Sequence, residues 1–145
     1  MLFGMGMTLS PTEDILLTSL RYPCYAALGL ANNYFSFDRE YALYIQSGKR
    51  KTLSNAVWLH MHWHNVSVEE AKEMTLAATR GYEEQFLRDC EELRKNGAVG
   101  EKVEKYLRGL AYQVSGNVVW SLRCPRYKGS FVCSVDAGEQ IELIG

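Results

Sequence analysis

Apolar residues recur along most of this chain at the three- and four-residue spacing of a helix face, and polar capping signals punctuate them. Ser10-Pro11-Thr12-Glu13 opens the first stretch. Ser10 can cap, Pro11 suits the first helical position, and Glu13 completes a capping box. Ile15, Leu16, Leu17 and Leu20 follow and are expected to enter a core. Pro23 should end this helix or begin the next, so a second helix is predicted over 23–46. Ser47-Gly48-Lys49-Arg50-Lys51 reads as a loop, and a third helix is predicted over 53–63. Ser67-Val68-Glu69-Glu70 is a second capping box. It opens a long helix that should stop near Asn96-Gly97, where glycine suits the C-terminal turn. Ala71, Met74, Ala78, Tyr82, Phe86 and Leu93 repeat along it at helical spacing, and its many charges read as a solvated face. The last helix is predicted over 101–123. Val103, Leu107, Ala111, Val114 and Val118 form its packing side. Tyr106, Gly109, Gln113, Gly116, Asn117 and Trp120 form the other.

The pattern changes after Tyr127. Ser130-Phe131-Val132-Cys133-Ser134-Val135 and Ile141-Glu142-Leu143-Ile144 look like strands, though a single hairpin is marginal alone. The expectation is an all-α unit of about five helices over residues 1–127. An atypical tail, irregular or with short β-like segments, follows over 128–145.

Composition narrows the functional classes. With 145 residues and 47% hydrophobic content, the chain can build one real core. A net charge of −1 gives no bulk attraction to nucleic acid or to an anionic membrane, so neither is expected as a partner. No apolar run approaches membrane-spanning length. The N-terminus lacks a basic flank before an apolar stretch, so no signal peptide is read there. Cys24, Cys90, Cys124 and Cys133 show neither metal spacing nor a disulfide framework, which suits a reduced, cytoplasmic protein. His60 and His64 would share a helix face while His62 points away. The three cannot converge on one ion, and ordinary helix-end histidines are expected.

One stretch carries candidate chemistry. Asn32, Ser36 and Glu40 stand four residues apart, and each such step advances roughly 40° around a helix. Their amide, hydroxyl and carboxylate oxygens therefore form a single stripe. Hard oxygen donors suit Mg²⁺ and leave positions open for water and phosphate oxygens. The alternative is a polar face exposed to water. Arg39 falls beside Glu40 and is placed to reach an anion on that metal. Extended in both directions, the face also takes in Tyr25, Gly29 and Leu43. Gly29 leaves room either for a ligand or for a closely packed helix. Lys49, Arg50 and Lys51 are either simply solvated or an additional hold on an anion.

The stretch Asn32-Asn33-Tyr34-Phe35-Ser36-Phe37-Asp38-Arg39-Glu40 resembles the second metal motif of class I terpene synthases, Asn-Asp-x-x-Ser-x-x-Lys/Arg-Glu, with Asn33 in place of the usual Asp. Trp120-Ser121-Leu122-Arg123-Cys124-Pro125-Arg126-Tyr127 resembles a second pattern of that family, Trp-Ser-x-x-x-x-Arg-Tyr. Asn55-Ala56-Val57-Trp58-Leu59 and Val66-Ser67-Val68-Glu69-Glu70-Ala71 point more narrowly to the cyclase part of fungal chimeric synthases. The resemblance implies a helical barrel around an apolar cavity and an isoprenoid diphosphate substrate ionised with Mg²⁺. It implies metal ligation by Asn32, Ser36 and Glu40, and diphosphate binding by Arg39, Arg126 and Tyr127. Trp120, with Asn117 and Tyr25, would line the hydrocarbon pocket, where an aromatic face steadies a carbocation. The family's first metal motif is an aspartate cluster, and this chain has no adjacent aspartates. The expectation is therefore a truncated, C-terminal half of a cyclase that is not efficiently active alone and is completed by an N-terminal half or partner chain. The rival expectation is a helical interaction module without catalysis, or half of a split enzyme.

Overall fold

The computed structural model of the chain describes residues 6–50, 52–97 and 99–127. Among them lie four α-helices: α1 (Pro11–Gln46), α2 (Ala56–His64), α3 (Val68–Lys95) and α4 (Glu101–Arg123). A 3-10 turn follows at Pro125–Tyr127. The class is all-α, as expected. The strand-like segments 130–135 and 141–144, and the whole tail 128–145, lie outside the described residues.

Both capping boxes form. The Ser10 side chain accepts from the Glu13 backbone while Glu13 reaches back, and Ser67 and Glu70 do the same. The two helices predicted on either side of Pro23 are one. Proline within a helix removes a donor and costs about 3 kcal/mol. Leu17, Leu20, Cys24, Ala27 and Ala31 are all buried, and they form one stripe in helical phase through the proline. Fully burying a leucine is worth roughly 1.5–3 kcal/mol, so keeping Leu17 and Leu20 in line with Cys24 and Ala27 outweighs the break. Pro23 is itself buried. Ile15, assigned to the core, is 76% exposed. It sits off this stripe, two residues before Leu17.

α1 is the central element, with α3 and α4 packed along it. α3 runs antiparallel to α1: Tyr22 meets Tyr82 edge-on, and Lys72 pairs with Asp38 at 2.6 Å. α4 runs parallel to α1, since Glu13 bridges Lys102 at 2.6 Å and Arg21 Nε donates to the Tyr106 hydroxyl at 2.9 Å. Further along, the Cys24 thiol faces the Leu110 carbonyl. Two apolar clusters result. The larger joins Leu17, Leu20 and Cys24 to Phe86, Cys90 and Leu93 of α3 and to Val103, Tyr106, Leu107 and Leu110 of α4. The smaller holds Phe37, Val57 and Ala71, with Tyr41, Trp58 and Met61 packed against it. Tyr106, assigned to the side opposite the packing residues, is thus a core residue, whereas Ala111, assigned to the packing side, is exposed. α4 buries the stripe Val103, Tyr106, Leu107 and Leu110, which is rotated from the predicted one. No helix among the described residues is long and apolar enough to cross a membrane.

Candidate functional site

The polar stripe begins on α1 between the two clusters, at Asn32 and Ser36, and runs on past Phe37 of the smaller cluster to Glu40. Ser36 is 4% exposed and its hydroxyl has no hydrogen-bond partner. That is costly in a helix core, where a buried unpaired polar group loses about 1–3 kcal/mol. Asn32 donates through Nδ2 to the Tyr127 hydroxyl at 3.2 Å. Glu40 accepts at Oε2 from Asn55 Nδ2 at 3.0 Å. Each of the three side chains therefore keeps an oxygen with no hydrogen bond among the described residues: Oδ1 of Asn32, Oγ of Ser36 and Oε1 of Glu40. An amide, a hydroxyl and one carboxylate fit Mg²⁺, which is commonly held by one or two carboxylates and completed by water and phosphate. No cluster of three His, Cys, Asp or Glu side chains that could hold a metal exists among the described residues, and this set of oxygens includes a single carboxylate, that of Glu40.

The Asn32–Tyr127 bond joins the two motifs. Residues 95 positions apart are brought together because α4 runs parallel to α1 and the 3-10 turn folds its end back onto α1. Tyr127 also meets Trp120 edge to face, with ring centroids 5.8 Å apart, and the Arg126 guanidinium lies 6.0 Å from the Tyr127 ring. Arg126 is exposed and Arg39 half-buried, and neither has a carboxylate partner among the described residues. Asn117 is half-buried with its Nδ2 unpaired, as is the hydroxyl of buried Ser121 one turn on.

Tyr25 is placed elsewhere. It lines a groove of about 430 Å³ between α1 and α3 with Ala26, Gly29, Leu30, Ala78 and Tyr82, none of them from α4. Its hydroxyl pKa is raised, by partial burial first and then by Tyr106 nearby. A Cβ added at Gly29 would meet nothing within 4 Å, and the same holds at Gly116. Both glycines face open space, so neither serves close packing. His60 and His64 stack with centroids 5.7 Å apart, while His62 turns to Trp58 and donates from Nδ1 to its carbonyl at 2.8 Å. Burial, and then the neighbouring His64, lower the His60 pKa.

Sequence patterns missed the inner support of the stripe. Asn33 Oδ1 accepts from the Ala56 backbone at 2.5 Å, and its Nδ2 donates to the Gly29 carbonyl at 2.8 Å. Asn55, just before α2, is 2% exposed and touches both Asn33 and Glu40. Its place as helix cap was the available signal, since α2 starts one residue later than the cap, at Ala56, and not at 53.

The family model for terpene synthase family 2, C-terminal metal binding, matches residues 1–85, which contain the stripe. Variediene synthase of Emericella variicolor is 46% identical over 128 residues, covering 88% of this chain and 18% of that protein. Terpene cyclase ATR13 of Stachybotrys chlorohalonatus is 43% identical over 144 residues, covering 99% of this chain and 38% of that protein. That second likeness continues past Tyr127 into the tail. A cyclopiane-type diterpene synthase of Penicillium chrysogenum is 37% identical over 134 residues, covering 92% of this chain and 17% of that protein. The chain thus spans well under half the length of these relatives.

Proposed function

Since this chain belongs to the terpene synthase family, we propose that it binds Mg²⁺ together with the diphosphate of an isoprenoid substrate. Asn32, Ser36 and Glu40 are the metal ligands in this reading, and Arg39, Arg126 and Tyr127 take the diphosphate oxygens. The observation that carries it is the Asn32–Tyr127 hydrogen bond, because it sets the oxygen stripe beside the Arg-Tyr pair. Mg²⁺ held there would draw off negative charge from a departing diphosphate. Arg126 suits the same anion because its planar fork can grip two phosphate oxygens. Tyr127 adds a neutral hydroxyl, which accepts from the Asn32 amide and keeps its own proton for a phosphate oxygen. Trp120, 53% exposed and against Tyr127, offers an aromatic face for the hydrocarbon end.

Cyclisation itself belongs, in this reading, to a protein that also supplies an aspartate cluster. Ionising an allylic diphosphate needs charge stabilisation from several directions, and one carboxylate with two arginines provides only part of it. Calorimetric titration of the chain with inorganic pyrophosphate tests the binding claim. Binding is expected with Mg²⁺ and should vanish on chelation. Glu40→Ala should weaken it at least about tenfold, or ~1.4 kcal/mol. Pyrophosphate binding that ignores both Mg²⁺ and Glu40 would remove the assignment.

A further inference from the structure

We propose that Asn55 is a positioning residue for the Glu40 carboxylate, so that the start of α2 fixes the geometry of the metal stripe on α1. The inference rests on Glu40 being a metal ligand. Asn55 does three things at once. Its Oδ1 accepts from the Val57 backbone at 2.9 Å, which caps α2. Its Nδ2 donates to the Asn33 carbonyl at 3.0 Å and to Glu40 Oε2 at 3.0 Å. Both amide hydrogens and the amide oxygen are thus engaged in a site that is 2% exposed.

The orientation of this amide is dictated by its neighbours. Turned over, its oxygen would face a carbonyl and a carboxylate, which only accept, while its NH₂ would face the Val57 N–H, which only donates. Asn33 locks the same junction from the other side, holding the Ala56 backbone and the Gly29 carbonyl. The α1–α2 junction is therefore a clasp of hydrogen bonds with one end on the Glu40 carboxylate. Holding Oε2 restricts rotation of a side chain with three torsions and leaves Oε1 for a metal. Partners behind a metal ligand commonly matter this way, and losing one typically costs 10–100-fold in metal affinity.

A serine at position 55 separates the two roles. Its hydroxyl can still cap α2, but it is too short to reach Glu40. In Asn55→Ser the Mg²⁺ concentration giving half-maximal pyrophosphate binding should rise about 10–100-fold, with the thermal midpoint within a few degrees of the parent. Asn55→Thr, also a competent cap, repeats the measurement should serine lower the midpoint further. The decisive comparison is a double-mutant cycle with Glu40→Ala. If Asn55 acts through Glu40, Asn55→Ser should have no further effect once Glu40 is gone. An equal loss in both backgrounds, or no loss in the parent, overturns the positioning role. If Glu40→Ala itself leaves Mg²⁺-dependent binding intact, the metal assignment fails, and the inference with it. Loss from Glu40→Ala with none from Asn55→Ser overturns the positioning role alone.

Discussion

Ser36→Ala should make the chain more stable and its candidate site worse. The Ser36 hydroxyl is buried in α1 without a partner, so its removal relieves an unsatisfied group worth about 1–3 kcal/mol. Alanine is also the better helix former by about 0.5 kcal/mol. Against this stands the small void left by one oxygen, about 0.5 kcal/mol at most at ~24 cal/mol per Å³. A net gain of about 1–3 kcal/mol follows. With unfolding entropy near 2.1 cal/mol/K per residue, a chain this long changes by about 0.3 kcal/mol per degree, so the thermal midpoint should rise by about 3–10 °C. The same substitution deletes one of three proposed ligands and should weaken Mg²⁺-dependent pyrophosphate binding at least about tenfold, ~1.4 kcal/mol. Scanning calorimetry and titration calorimetry on one preparation read both effects. A lower midpoint would show that the hydroxyl is satisfied after all, and an unchanged affinity would show that it is not a ligand.

Three further outcomes follow from other parts of the structure. Hydrogen bonds from Lys102 first, and then from Ser10, hold the Glu13 carboxyl at about 2 against an ordinary 4.5. A depressed folded-state pKa stabilises above 4.5 and loses that contribution as pH falls towards 2, so Glu13→Gln should flatten the loss of thermal midpoint across that window, and an unaltered acid limb would refute the pairing. Burial raises the Cys24 and Cys90 thiols to about 11. Iodoacetamide at pH 8 should therefore label Cys124 of the folded chain, read by peptide mass spectrometry, and reach Cys24 and Cys90 only after unfolding; rapid labelling of either in the native state would contradict the packing. Incubation with geranyl, farnesyl, geranylgeranyl or geranylfarnesyl diphosphate and Mg²⁺ should yield no efficient cyclisation by this chain alone. One dominant cyclic hydrocarbon would show that the stripe and the Arg-Tyr pair suffice.

The parts of the fold that were legible in the sequence are those set by local chemistry. Ser10 with Glu13 and Ser67 with Glu70 define helix starts because the capping bonds close within three residues. Pro23 misled because its local cost is visible in sequence while the in-phase burial of Leu20 and Cys24 against two other helices is not. Tyr106 was placed on the side of the last helix opposite its packing residues. In the fold Arg21 donates to that hydroxyl and lies over the ring, with 5.5 Å to the centroid, so the tyrosine enters the core with its polar atom satisfied. The stripe of Asn32, Ser36 and Glu40 was readable from spacing alone. Its connection to Tyr127 was not, since that depends on α4 running parallel to α1.

The distribution of apolar burial explains how α1 carries an unsatisfied hydroxyl at all. Leu17, Leu20 and Cys24 anchor one end of the helix in the larger cluster, and Phe37 anchors the other in the smaller one. The stretch between them is over-determined from both sides, so a local cost at Ser36 is not relieved by bending or fraying. Groups held in unfavourable surroundings by a rigid frame are where stability and function trade against each other. The same frame explains the clasp at Asn55. α2 is only nine residues long and contributes Val57 to the smaller cluster. Too short to be stable by itself, it is held to α1 by that packing and by the amides of Asn33 and Asn55. A helix so dependent on its first turn reports faithfully on that turn. Any change that displaces the start of α2 should therefore move the Glu40 carboxylate with it, while leaving the larger cluster around Tyr106 and Leu110 undisturbed.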